Sequence, residues 1–474
     1  MIKTSVQTES KLNGVAHFNK TYIWMISVTA ALGGLLFGYD WVVIGGAKPF
    51  FERFFGLTDA ALKGWANSCA LIGCLFGAFF AGWLSDKFGR KKLLIFSAFL
   101  FTSTSLGIGF SQEFTIFVIW RILGGVAIGL ASNLSPMYIA EIAPAHMRGK
   151  LVSINQLTIV IGILGAQIIN FWIAEKIPDG TTEEMIRQSW NVQNGWRWMF
   201  AATAVPSLIF FLSMFFAPES PRWLAKYGNN IKAAKILAQI GGDRYAKQAI
   251  TEIDKTLKND IKKVDLRELF EPKMKKVLLL GIILAVFQQW CGINVIFNYA
   301  EEIFSQAGYN ISNTLMNIAW TGSVNLVFTF VALGIVDKGG RRVLMLLGAA
   351  GLAVIYTALG FGYYTGVQGL PMLLLVLAAI GCYGMSLAPI TWVVISEIFP
   401  NRIRGTAMSV AVISLWSACF VLTYTFPFLN EILGPARTFW IYAAICITGF
   451  LFIKQRLPET KGKTLEEIEG ELIR

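Results

Sequence analysis

Histidine occurs twice in 474 residues, at His17 in a polar stretch and at His146 in a basic one, with no nucleophile or metal-ligand constellation around either. Neither an enzyme nor a metal centre is therefore expected. The six cysteines, Cys69, Cys74, Cys291, Cys382, Cys419 and Cys446, fall inside apolar runs without paired spacing. That excludes a disulfide framework and reads them as small apolar helix residues. Charge is scarce as well. Only 15% of the residues are charged, 55% are hydrophobic and the mean hydropathy is +0.57, far from the soluble average. The chain is expected to be a polytopic membrane protein. Its first 20 residues lack an apolar core followed by a cleavage site, so no removed signal peptide is expected.

A bilayer core about 30 Å thick takes about 20 apolar residues in a helix. On that measure the sequence predicts twelve spans, at 21–44, 61–84, 93–110, 114–138, 151–174, 197–217, 277–300, 313–336, 342–364, 370–396, 406–428 and 436–455. This is an all-α membrane fold. Its expected organisation is an N-terminal tail (1–20), a first six-helix bundle (21–217), a polar linker (218–276), a second six-helix bundle (277–455) and a C-terminal tail (456–474). Basic residues concentrate in the loops 86–92, 144–150, 337–342 and 400–405 and in the linker, whereas 175–185 and Glu301–Glu302 are acidic. Lys- and Arg-rich loops stay cytoplasmic. Twelve spans put all the basic segments and both termini on that side, in a plasma (inner) membrane. The net charge of +12 thus reads as topology and not as nucleic-acid binding.

The two halves echo one another. YIAEIAPAHMRG (138–149) returns as VISEIFPNRIRG (394–405), pairing Glu141 with Glu397 and Arg148 with Arg404 at the same offset. GWLSDKFGRKK (82–92) returns more weakly as GIVDKGGRR (334–342), and PESPRWL (218–224) and PETKGKT (458–464) close the two halves. A duplicated six-helix unit with its site near the midplane is the plan of a rocking transporter. Taken with RILGGVAIGL and QQWCGIN, these motifs run in order along nearly the whole chain, which resembles the sugar porter family of the major facilitator superfamily. The resemblance implies two pseudo-symmetric bundles, alternating access, a monosaccharide cargo with xylose favoured, and a proton as coupling ion with no other cofactor. A monomeric protein in membrane lipid is the expected assembly.

Three groups of residues carry the expected chemistry. Gln288 and Asn294 in FQQWCGIN are amides at mid-membrane depth, where each offers donors and acceptors to a sugar hydroxyl. They do not share one face of a regular helix, so Gly292 is expected to mark a break that turns both toward the cavity. Gln156 and Asn325 are further candidate amides, and Trp392 and Trp416 candidate aromatic walls. The resemblance places sugar ligands at Gln156, Gln288, Gln289, Asn294 and Trp392; interhelical hydrogen bonding is the rival role for the glutamines. Against xylose-carrying members the chain departs at Asn298, Ala388 and Leu415, which leaves a hexose or a polyol such as inositol open as substrate.

Asp40 in LLFGYDWVV and Arg121 in VIWRILGG are intramembrane charges at matching depth in the outer parts of spans one and four. Such charges are usually paired and functional. Asp40 reads as proton acceptor and Arg121 as the partner that tunes it, with a structural ion pair as the alternative; facilitative uniporters of the family typically carry asparagine at the position of Asp40. Finally, the resemblance implies a cytoplasmic gate of Asp86, Arg90, Glu141, Arg148, Asp337, Arg341, Glu397 and Arg404. A continuous channel suits the repeat less well than alternating access, and a sensor that binds sugar without moving it would show no uptake.

Overall fold

A computed structural model describes residues 18–178, 180–259, 271–399, 404–461, 463 and 467. Among these, six helices make the first half: α1 (Lys20–Phe55), α2 (Ala60–Phe88), α3 (Arg90–Gly109), α4 (Phe114–Ile142), α5 (Ala145–Ile173) and α6 (Asn191–Phe216). Six follow after the linker: α7 (Pro272–Trp290, resuming as Ile293–Asn298), α8 (Ile311–Gly339), α9 (Arg341–Tyr364), α10 (Leu370–Met385, resuming as Leu387–Ile398), α11 (404–433) and α12 (435–456). The last two form one unbroken helical stretch except at Gly434, whose φ of 74° and ψ of 168°, with Pro435 behind it, interrupt the ladder. That interruption separates the eleventh and twelfth spans.

The predicted spans all become helices, and the differences lie at their ends. α1 continues to Phe55, well past residue 44, because the charges that end its hydropathy run, Lys48 and Glu52, are one helical turn apart and neutralise each other inside the protein. α6 starts earlier than residue 197, in a π turn over Asn191–Gly195. α7 and α10 are each interrupted once. The linker holds helices Pro221–Lys226 and Asn230–Asn259, the second bent at Gly241 and Gly242. Residues 260–270 lie outside the described residues.

Within the first half α1 packs on α5, and α4 on both α2 and α3; within the second, α9 packs on α12, α8 on α10 and α7 on α11. The halves meet where α2 faces α11 and α5 faces α8. Small residues allow this approach: a Cβ on Gly64 would strike the Tyr424 carbonyl, and one on Gly45 the Phe297 carbonyl. Large apolar side chains such as Phe76, Phe79, Trp83, Trp172, Phe216 and Phe330 point outward. An outer surface this greasy requires a lipid surround, so the chain is an integral membrane protein of twelve spans.

Candidate functional site

The break in α7 builds the amide cluster. Gly292 sits at φ 87°, ψ −2°, a conformation that costs a residue with a Cβ, and a Cβ there would also press on the Tyr442 ring. Across this break Asn294 Nδ2 donates to Gln289 Oε1, and Gln289 Nε2 donates to Gln288 Oε1 at 3.1 Å. Gln288 Nε2 reaches the Ala388 carbonyl on α10 at 3.5 Å, the long limit of a hydrogen bond. The three amides form one chain of donors and acceptors, buried between α7, α10 and α11. A sugar hydroxyl can replace any link, since it donates and accepts as an amide does.

Aromatic walls flank the chain. Asn294 Nδ2 also lies 3.6 Å from Cys419 Sγ on α11, and one turn before Cys419 is Trp416, which meets Trp41 edge-on at 5.7 Å and Phe37 at 6.0 Å. Both of those rings come from α1, so this wall spans the two halves. Trp392 follows Ala388 by one turn on α10 and is 36% exposed. Asn325 is buried in α8 and faces Gly384 of α10, and Gln156 is half-buried in α5; both stand outside the described amide chain. Leu415 is buried beside Trp416.

Asp40 lies near the middle of α1, which runs eleven residues beyond the expected end, and at the level of the second turn of α4, where Arg121 stands. Asp40 Oδ2 is 3.4 Å from Arg121 Nη1, and the two residues are 5% and 3% exposed. A charge-assisted bond is normally about 2.7–2.9 Å, so this pair is in contact but loosely held. Phe200 supports the guanidinium from one face at 5.4 Å. Beside the pair is a cavity of about 10 Å³ lined by Asp40, Trp41, Asn67, Arg121 and Asn298 among others, room for one water. Asn298 comes from α7, six residues past the Gly292 break, and its Oδ1 is buried without a partner among the described residues, as is Asn67 Oδ1. A carboxylate with a detachable counter-charge and water-sized room can take up and release a proton.

On the basic face one network occurs twice. In the first half Arg90 donates to Glu141 at 3.0 Å and to Asp86 at 3.2 Å, and Ser220 donates to Glu141. In the second, Arg341 lies 3.4 Å from Glu397, which also accepts from Thr460 at 2.6 Å. Asp86 has a further partner in Lys226 at 3.0 Å. None of these described pairs joins one six-helix half to the other, so a link between the halves requires different pairings. Arg148 stands in the first turn of α5; the side chains of Asp337 and Arg404 lie outside the described residues.

Two glutamates had been visible only as parts of closing motifs. Glu219 accepts the Arg90 and Lys91 N–H groups at 3.0 and 3.1 Å and so caps α3. Glu459 accepts those of Arg341 and Arg342 at 2.8 and 3.2 Å and caps α9. Partial burial alone would raise the Glu459 pKa, but the backbone N–H groups of Lys461, Arg341, Arg342 and Thr460 outweigh it and hold the carboxyl below the usual range. Its stabilising effect is therefore present above the unfolded value of about 4.3 and lost as pH falls through the lower folded value. Glu459→Gln should cost about 0.5–1 kcal/mol at pH 7, the low part of the range for a lost helix cap because solvent screens the group. Thermal melts of purified protein should show the gap to wild type at pH 7 and its closure in acid.

Lys48, near the end of α1, also escaped the sequence reading, because it falls beyond the expected span. Its signal was Glu52 four residues on together with the acidic pair at 301–302.

The sugar (and other) transporter family model matches residues 26–472. The arabinose-proton symporter of Bacillus subtilis (strain 168) is 40% identical over 99% of both chains. The D-xylose-proton symporter of Escherichia coli (strain K12) is 39% identical over 96% of both. Among solved structures, the partially occluded inward-open form of the E. coli xylose transporter XylE superposes with a TM-score of 0.83 at 36% identity, covering 94% of this chain and all of that one. The duplicated motifs, the twelve helices and these matches agree: the chain belongs to the sugar transporter family of the major facilitator superfamily.

Proposed function

We propose that the chain is a proton-coupled symporter of a monosaccharide, D-xylose in first place, working by alternating access. The observation that carries this reading is the buried Asp40–Arg121 pair, which shares its cavity with Asn298 of α7, the helix that also bears the amide chain. A change of charge at Asp40 is thereby felt at the helix that holds the sugar. Gln288, Gln289 and Asn294 bind sugar hydroxyls, Trp392 and Trp416 cover its C–H faces, and Gln156 and Asn325 complete the ring of ligands. Asp40 carries the proton and Arg121 adjusts its affinity. On the basic, cytoplasmic face, where both termini lie, Asp86, Arg90, Glu141, Arg148, Asp337, Arg341, Glu397 and Arg404 exchange partners as the cavity opens and closes. No cofactor besides the proton is required, and one chain in lipid is the working unit.

Relatives named as arabinose-proton and D-xylose-proton symporters support a pentose. A hexose or polyol remains the second reading on one observation: Asn298, Ala388 and Leu415 alter the lining at three points close to the amides and to Asp40. The test is uptake of labelled xylose into proteoliposomes under an imposed pH gradient, with pentoses, hexoses and inositol as competitors. Accumulation above equilibrium that collapses with the gradient is expected, with xylose the strongest competitor. Equilibration without accumulation would make the protein a facilitative uniporter.

A further inference from the structure

Lys48 is 1% exposed, a rare state for lysine unless it is paired. Its ammonium contacts two carboxylates: Glu52 at 3.1 Å, one turn further along α1, and Glu302, with which it forms both a hydrogen bond and an ion pair. The Tyr299 ring lies 5.3 Å from the ammonium. Glu302 belongs to the short helix Ala300–Gln306 that follows α7. The two carboxylates therefore sit on opposite halves of the molecule. Close by, Gly45 of α1 abuts the Phe297 carbonyl of α7, so backbones as well as charges meet here. The neighbouring pair Arg53–Glu183, at 2.8 Å, stays within the first half. A recess of about 340 Å³ lined by Lys48, Glu52, Arg53, Glu183, Glu301 and Glu302 among others adjoins the pair on the acidic face.

We propose that Lys48 is the outer latch of the transport cycle: its ammonium holds Glu302 across the two bundles while the acidic face is shut, and releases it each time that face opens to admit sugar. The inference rests on the alternating-access reading above. Parting of the bundles carries Glu302 away from Lys48 but leaves Glu52 in place, because Glu52 is on the same helix. The ammonium is never left bare. Glu302 meanwhile passes into the water of the recess, which offsets its lost partner. A buried pair gains little net stability, since desolvation offsets attraction; what it supplies is a defined closed position that can be reached and left repeatedly. The likeness to an inward-open structure fits an outer side that is closed.

The experiment uses the full chain in lipid nanodiscs, with native cysteines replaced and spin labels at Thr58 and Gln306, exposed positions on the acidic face in opposite halves. Lys48→Met and Glu302→Gln should each raise the ratio of long to short distances by about tenfold, the change a partner worth one decade of equilibrium constant would give. Lys48→Arg should keep the short distance, and Glu52→Gln should keep it too, because the cross-bundle pair survives. Unchanged distances in Lys48→Met overturn the latch. So does a shift in Lys48→Met that Glu302→Gln fails to reproduce, since Lys48 would then act within its own helix. Should Lys48→Met not fold, Glu302→Gln decides alone. The distances need no transport, so a wild-type protein that fails to carry sugar would defeat the transport reading and leave the latch to be judged by its own data.

Discussion

Asp40→Asn is expected to abolish accumulation of sugar under a pH gradient while sugar binding and energy-independent counterflow persist. The asparagine is a neutral copy of the protonated carboxyl: it can accompany Arg121 through the cycle but cannot exchange a proton. Binding should survive because the ligand amides are on α5, α7 and α8 and not on α1. If the pair were structural, removing one partner would leave Arg121 buried without its counter-charge at a cost of about 3–5 kcal/mol. Melting temperature, binding and counterflow would then fall together. Measuring all three with gradient-driven uptake on one preparation separates the cases, and accumulation that survives in the variant removes Asp40 from proton coupling.

Gln288→Ala should weaken sugar binding by roughly 5- to 150-fold, the loss of two hydrogen bonds at about 0.5–1.5 kcal/mol each. Folding should be little affected, because the contact of Gln288 with the Ala388 carbonyl is already at the long limit and Gln289 keeps its bond to Asn294. Calorimetric titration with xylose is the measurement. An unchanged affinity in a well-folded variant would assign Gln288 to helix packing.

Much of this could be read from the sequence because a bilayer imposes two simple demands, apolar length and asymmetric charge, and both are local. The Gly292 break was legible for the same reason: a glycine among mid-membrane amides is a local signal, and the amides it joins are five or six residues apart. Lys48 and the true end of α1 were missed together. Hydropathy ended α1 at residue 44, short of Lys48, whereas the fold carries the helix on with Lys48 neutralised both by Glu52 one turn away and by a carboxylate more than two hundred residues away. The caps by Glu219 and Glu459 were hidden similarly. Their motifs were visible, but their partners lie at the start of helices far earlier in the chain. Pairings of that range depend on the packed arrangement of helices, which periodicity does not encode.

Those two caps have a mechanical consequence. In each half the residue just past the sixth helix is fastened to the first turn of the third, so the chain is tied back upon itself at the basic face. A six-helix unit secured in this way resists internal shear, since sliding the third helix would pull on the strand that leaves the sixth. Movement is then directed to the seam between units, where contacts are small residues and exchangeable polar groups. Each half behaves as a clasped block, and the cost of a transport cycle falls on the seam rather than on the blocks.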